Sequence, residues 1–214
     1  VMKNAAPSPV RDPREDSAPT APLPRGDLSW AAVAIVTAAL GLFASISLVV
    51  EKWAILEDPL HVTSCDFNAA LSCGTVIRSA QANLFAFPNP FIGLVGYTLV
   101  IVLAVGVLAG ARYRAWFWQG LLAGLALGEV FLIWLWTQAT FEINALCLYC
   151  MLVWLMHPIL LLATAARCVR TGALPAPPGL RATTRLWAPA VVVLIWLVVF
   201  GSVLVRFSGS LFGA

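Results

Sequence analysis

Apolar residues run almost without a break along this chain, and charges interrupt them at only a few places. The uncharged or nearly uncharged runs are Leu28 to Val50, Phe91 to Ala111, Ala115 to Trp136, Ile143 to Ala166 and Leu186 to Val205, with Glu129 the one charge inside the third. About 20 apolar residues carry a helix across the hydrocarbon core, so each run is long enough to span. The runs are continuous rather than alternating, which predicts helices and excludes barrel strands. The first is too long for a signal-peptide core and no small-residue cleavage site follows it, so it reads as a retained helix. The expected fold class is an all-α membrane protein with five spans.

Composition agrees with this pattern. Hydrophobic residues make up 61% of the 214 and charged residues 11%, and the mean hydropathy is +0.90. A soluble domain needs far more charge to cover its surface. Low hydrophobicity marks disorder, so disorder is excluded as the main state. A net charge of +3 points to no nucleic-acid partner.

The placement of charge sets an orientation. Lys3, Arg11, Arg14 and Arg25 precede the first run, Arg112 and Arg114 separate the second from the third, and Arg167, Arg170, Arg181 and Arg185 separate the fourth from the fifth. Only Lys52, Arg78 and Arg206 fall on the other side. Basic residues collect on the cytoplasmic side, which predicts a cytoplasmic N-terminus and an extracytoplasmic C-terminus. Residues 1–27, rich in proline and mixed charge, read as a disordered cytoplasmic tail. A transmembrane domain over 28–205 follows, with an extracytoplasmic loop at 51–90, and residues 206–214 read as a short outer tail. In the loop, Trp53, Ile55, Leu56 and Leu60 lie among charges. That pattern fits a short amphipathic helix on the membrane surface or a helix end fraying at the interface. Phe85, Phe87 and Phe91 are expected to bury against the mouth of the bundle.

The five cysteines divide along the same line. Cys65 and Cys73 lie in the loop and Cys147 and Cys150 form Cys-Leu-Tyr-Cys at the outer end of the fourth run, while Cys168 falls on the arginine-rich side. Disulfides persist in the oxidising space outside, so four cysteines are placed to pair and one to stay reduced. The Cys-Leu-Tyr-Cys motif lies in the first turn of a helix, where unpaired N–H groups favour a thiolate. Both pairs close small loops, and the Cys65–Cys73 link would contribute only about 2.5 kcal/mol of chain entropy. Small bridges of this kind are better suited to thiol–disulfide exchange than to stapling a bundle. Three readings remain open on spacing alone: a redox relay, a four-cysteine metal site, and structural disulfides in a membrane protein without catalytic activity. No metal ligand is assigned, since His61 has no recurring ligand spacing to either pair.

Cys65-Asp66, Cys73, Ser79, Asn89-Pro-Phe-Ile-Gly at the start of one span and Cys147-Leu-Tyr-Cys150 at the start of another together resemble the vitamin K epoxide reductase family. The likeness covers some 140 residues, from about the first span to the fourth. It implies a four-helix bundle, with the fifth transmembrane helix beside it, enclosing a quinone near the extracytoplasmic face. It further implies an enzyme similar in role to DsbB. Such an enzyme is a thiol–disulfide oxidoreductase of the cytoplasmic membrane that reoxidises an extracytoplasmic, thioredoxin-fold DsbA-like protein and passes the electrons to a membrane quinone, menaquinone or ubiquinone. Carried over by position, Cys65 exchanges with the partner, Cys73 bridges to Cys147, and Cys150 is the thiol nearest the quinone. Ser79 and Asn89 match polar positions of the quinone pocket. Trp154 stands where the family has a pocket tyrosine; an indole donates one hydrogen bond and accepts none. Many bacterial relatives carry a fused thioredoxin-like domain after the fifth span. None follows here within the 214 residues, so the partner is expected to be a separate protein. Glu129, an intramembrane carboxyl, and His157, on the same helical face as Cys150 and Trp154, are lesser candidates beside the ordinary expectation of satisfied core residues. Asp66 is expected to cap the next helix or to bias the neighbouring thiol.

Overall fold

The computed structural model describes residues 25–212. The expected disordered tail lies outside them, apart from residues 25–27, which open the first helix. Seven α-helices follow in order: α1 (Arg25–Glu57), α2 (Cys73–Arg78), α3 (Pro90–Leu108), α4 (Ala115–Thr137), α5 (Leu148–Thr171), α6 (Pro178–Ala182) and α7 (Thr184–Phe212). A 3₁₀ turn at Ala80–Asn83 precedes α3, and a π turn at Gln138–Ile143 ends α4. No strand forms among the described residues; the one β-bridge pairs Leu71 with Leu146. Five helices are long and apolar enough to cross a membrane: α1, α3, α4 with its π turn, α5 and α7. The protein is an all-α, multi-pass membrane protein.

The helices depart from the apolar runs at their ends. α1 continues without a break through Trp53 and Ile55 to Glu57, so the stretch after Val50 neither lies along the surface as a separate helix nor frays. Its 33 residues rise about 50 Å, well beyond the hydrocarbon core. α5 begins at Leu148 rather than Ile143, because residues before it are taken up by the π turn and the bridge to Leu71. α7 runs past Val205 to Phe212.

Packing follows from small residues. The buried stripe of α1 includes Ala31, Ala34, Ala38, Gly41, Ser45 and Leu48, spaced three or four apart on one face. Between helices in lipid, small residues let backbones approach closely, and α1 packs along both α3 and α5. α5 is the hub, touching α1, α4 and α7. α3 and α4 each lean on other helices, and a cavity opens between them.

The end of the bundle opposite Cys147 is closed by an ion pair and aromatic rings. Arg167 Nη2 lies 2.7 Å from Asp27 Oδ1, and the guanidinium stacks 3.5 Å from the Trp118 ring centroid. Trp30 donates to Thr164 Oγ1 at 3.1 Å. Cys168 is fully buried here, with its thiol 3.8 Å from the Trp118 carbonyl.

Candidate active site

At the other end, the segment from Asp58 to Asn89 folds back over the helix ends. Arg78 donates to the carbonyls of Pro59 and His61 at 3.1 and 2.9 Å. Glu51 meets His61 Nε2 at 3.0 Å and accepts from the Ser64 N–H at 3.0 Å. Two backbone hydrogen bonds fasten this loop to the chain just before Cys147: Leu146 N–H to the Ala70 carbonyl at 2.7 Å, and Ser72 N–H to the Leu146 carbonyl at 3.0 Å. Ser64 and Tyr149 join hydroxyl to hydroxyl at 3.0 Å, so the residue before Cys65 touches the interior of the Cys-Leu-Tyr-Cys motif.

These fastenings bring three of the predicted cysteines together. Cys65 and Cys73 form a disulfide with their Cα atoms 5.6 Å apart. The sulfurs of Cys65, Cys73 and Cys147 all lie within 4.8 Å of one another. Cys147 is the N-cap of α5, and its sulfur accepts the Cys150 N–H at 3.4 Å. One turn on, Cys150 lines the cavity. Cys147 therefore faces the loop disulfide while Cys150 faces the cavity, and Cys168 lies at the far end. Three clustered sulfurs are a plausible metal set in themselves, but two of them are joined to each other, and a disulfide sulfur is a poor metal ligand.

Asp66 explains how the loop keeps its shape. Its carboxylate accepts from the Thr63 N–H at 2.8 Å, the Ser72 hydroxyl at 2.8 Å and the Gly74 N–H at 2.9 Å. Gly74 is in the first turn of α2, so Asp66 caps that helix together with Ser72, whose hydroxyl accepts from Thr75. Burial pushes the carboxyl upward, but the bonds from Gly74, Ser72 and Thr63 outweigh it and hold Asp66 down at about 2. Of the two expectations for Asp66, helix capping is the one visible.

The cavity between α3 and α4 measures about 670 Å³, in the range of small-molecule sites. Apolar side chains form most of its wall, from Cys150 and Trp154 at one end to Trp116 and Phe117 at the other. Gly96, Gly120 and Gly124 line it with open space where a Cβ would stand. Polar groups gather at the cysteine end. Ser79 lines it, yet its hydroxyl proton is committed to the Val76 carbonyl at 2.7 Å. Asn89 is buried and holds the loop with both ends of its amide: Nδ2 donates to the Gln81 carbonyl at 2.7 Å, and Oδ1 accepts from Leu84 N–H at 3.2 Å. One Nδ2 hydrogen remains for a ligand. Trp154 is 4% exposed, and its indole N–H makes no hydrogen bond among the described residues.

Sequence reasoning missed Gln81, Gln138 and Tyr97 on this wall. The Gln81 and Gln138 side chains meet at 3.4 Å across the cavity mouth. The π turn that brings Gln138 there is a local widening of the helix, which no composition pattern announces. Tyr97 was legible as a polar tip within an apolar run. Phe85, Phe87 and Phe91, expected to be buried, are instead 51%, 43% and 42% exposed. Phe85 does contact the Phe131 ring of α4, but the cluster lies on the outer surface of the protein.

The sequence model of the vitamin K epoxide reductase family matches residues 32–165, a span that takes in all four of these cysteines and the whole cavity-bearing bundle. No curated protein matches the chain.

Proposed function

Since the chain belongs to the vitamin K epoxide reductase family and is a membrane thiol–disulfide oxidoreductase, we propose that it oxidises a separate thioredoxin-fold, DsbA-like protein outside the cytoplasmic membrane and delivers the electrons to a membrane quinone. The observation that carries this reading is the position of Cys147 and Cys150. The first is packed against the Cys65–Cys73 disulfide, and the second opens on an apolar cavity.

The cavity suits a quinone bearing a lipid tail. Its walls are apolar, it is long in the direction of the helices, and it offers a few hydrogen-bond donors beside Cys150. Of the three residues expected to bind the ring, Asn89 and Trp154 each have a donor to give, while Ser79 must release the Val76 carbonyl before it can donate. Trp154 thus supplies the donation that a tyrosine would make at that position, without its acceptor. When bound, the quinone supplies an acceptor for two electrons and two protons.

The steps performed by the chain follow from exchange chemistry. A thiolate of the reduced partner attacks the Cys65 sulfur; Cys73 leaves, and the partner's second thiolate displaces Cys65 to close the partner's disulfide. The Cys73 thiolate then attacks Cys147 of an oxidised Cys147–Cys150 pair. Cys150 leaves as a thiolate, and Cys65 resolves the Cys73–Cys147 bridge, restoring the loop disulfide. Cys147 and Cys150 are left as a dithiol, with Cys150 next to the cavity, and re-form their bond as two electrons and two protons pass on. Positive charge is concentrated at the Arg167 end of the bundle, which supports placing the cysteine end outside.

The test is spectroscopic. Purified protein is mixed with a reduced DsbA-like protein and a soluble ubiquinone or menaquinone analogue, and the quinone absorbance is followed. Stoichiometric quinol formation that depends on Cys150 supports the reading. Oxidation of the partner without quinol formation refutes quinone use, and bound zinc lost on Cys147→Ser refutes the relay.

A further inference from the structure

A polar cluster sits in the wall of the cavity, and thiol exchange does not use it. Tyr97 of α3, Glu129 of α4 and His157 of α5 converge in the middle of the bundle, and these are the titratable groups in the cluster. Tyr97 and His157 line the cavity, and all three residues are at least nine-tenths buried. The hydroxyl of Tyr97 lies 3.1 Å from His157 Nδ1. His157 Nε2 lies 3.0 Å from the Leu125 carbonyl and 3.9 Å from Glu129 Oε2. That carboxyl oxygen is buried and has no hydrogen-bond partner.

The partners fix where the protons are. A carbonyl only accepts, so Nε2 carries a hydrogen toward Leu125. In the neutral ring Nδ1 is then an acceptor, and Tyr97 donates to it. If Nδ1 also gains a proton, the imidazolium has a carboxylate 3.9 Å away to balance it. Tyr97 is then free to accept from Nδ1 and to turn its own proton into the cavity. The cluster can hold one extra proton and can present it at the Tyr97 hydroxyl.

Two glycines show that room for these rings is built in. A Cβ at Gly128 would stand 3.1 Å from His157 Cε1, and a Cβ at Gly41 would stand 2.6 Å from the Tyr97 ring. Each ring lies directly against helix backbone: a Cβ at Gly41 would force the Tyr97 ring to move, and one at Gly128 would press on the His157 ring.

Resting on the quinone reading above, we propose that Tyr97, His157 and Glu129 form a proton relay that supplies one of the two protons consumed in quinone reduction. Two electrons leave the Cys147–Cys150 dithiol as its S–S bond forms. One proton reaches the acceptor from the Cys150 thiol. The other leaves the Tyr97 hydroxyl, which takes the Nδ1 proton of His157 in return. The second thiol proton is released to solvent, and an equivalent one reloads the His157–Glu129 pair only when quinol gives way to a new quinone, so over the cycle the dithiol loses two protons and two electrons and the quinone gains the same. Tyr97 is the catalytic group; His157 and Glu129 are positioning residues that act through it.

The experiment reads the ring nitrogens directly. Protein labelled with ¹⁵N-histidine carries two signals sets, from His61 and His157, and His157→Gln assigns them. Spectra are taken of the oxidised protein with a soluble menaquinone analogue bound, and again after dithiothreitol has reduced it. The expected result is a change of His157 from imidazolium to the neutral ring protonated on Nε2, absent in Glu129→Gln. Tyr97→Phe, nearly the same shape and checked by thermal melting, is expected to lower kcat for quinone reduction on the order of 100-fold. Its KM for the quinone and its Cys147–Cys150 thiol count should stay near those of the parent. A His157 spectrum that is the same in both states, or a Tyr97→Phe protein that turns over like the parent, overturns the relay while quinol still forms. Failure of the parent protein to make quinol at all overturns the quinone reading instead, and the relay with it.

Discussion

Cys65, the residue assigned to meet the partner, is only 3% exposed, so the partner's thiolate cannot reach it until the loop opens. Asp66→Asn tests whether the loop's internal bonds keep Cys65 covered, since every partner of the carboxylate, at Thr63, Ser72 and Gly74, lies within the loop itself. The asparagine keeps one carbonyl oxygen, which can still accept from Ser72 and Gly74 where Oδ1 accepts now. The other oxygen becomes an NH₂ facing the Thr63 N–H, so that bond, 2.8 Å long in the parent, is lost. A hydrogen bond to a charged group is worth about 1.5–3 kcal/mol. Asp66 is partly exposed, and solvent competition reduces this to about 1–2 kcal/mol, a rise in the internally opened population of the loop of about 5- to 30-fold. The assay uses a Cys147→Ser background, which isolates exchange between the partner and Cys65–Cys73, followed by quenched non-reducing gels. Asp66→Asn is expected to speed that exchange by the same factor. Full turnover, measured with Cys147 restored, should rise by much less, since only the docked loop brings the three sulfurs within 4.8 Å. An unchanged exchange rate with faster amide exchange over residues 63–75 would refute the idea that this opening exposes Cys65. A slower rate would show that the partner recognises the docked loop.

The same carboxylate should titrate visibly. Its folded pKa, about 2, lies below the ordinary value near 4, so its contribution is complete above about pH 4 and is lost as pH falls through about 2; the Gly74 amide resonance is expected to move with that lower midpoint. Cys168→Ser should leave quinone reduction intact, because that thiol is buried at the Trp118 end, and loss of activity on that change alone would unseat the relay order. A partner lacking its second cysteine should be trapped as an adduct on Cys65, and Cys150→Ser should accumulate a Cys73–Cys147 bridge, both read by non-reducing peptide mapping. Partner found on Cys147 with Cys65 free would reverse the assigned order.

Much of this was legible in the chain because lipid makes sequence simple. A span must be apolar throughout, so five runs gave five helices, and the rare polar residues inside them, Glu129 and His157, marked the cluster beside the cavity. The four cysteines stood out by spacing and by the side on which they fell. What escaped was everything set by backbone detail rather than by composition. The π turn at Gln138–Ile143 delayed the start of α5, and the Leu71–Leu146 bridge fixed the loop's register, and neither leaves a periodic trace. The exposed Phe85, Phe87 and Phe91 misled for another reason: an apolar side chain in a loop need not pack inside the protein. Tyr97 was overlooked because its ring is at home in an apolar run; only its hydroxyl, 3.1 Å from His157, gives it chemistry.

The arrangement also accounts for the need for two cysteine pairs. A single dithiol would have to be open to a folded protein and, in the same place, touch an acceptor dissolved in the membrane. Cys147 has no exposed surface, so no folded partner can approach it, and Cys150 lines the cavity. Cys65 and Cys73 lie on a loop tied to the rest of the bundle by a few polar contacts, at Glu51, the Ser64–Tyr149 pair and the backbone of Leu146. Contacts of this kind are each worth about 1 kcal/mol net, strong enough together to dock the loop and weak enough to release it. The proposed division of labour thus puts the pair that would meet the partner on the loop and the pair that borders the cavity on a membrane helix. On the proposed reading, electrons then cross from water to lipid through four sulfurs, with Tyr97 and His157 in the wall of the cavity that receives them.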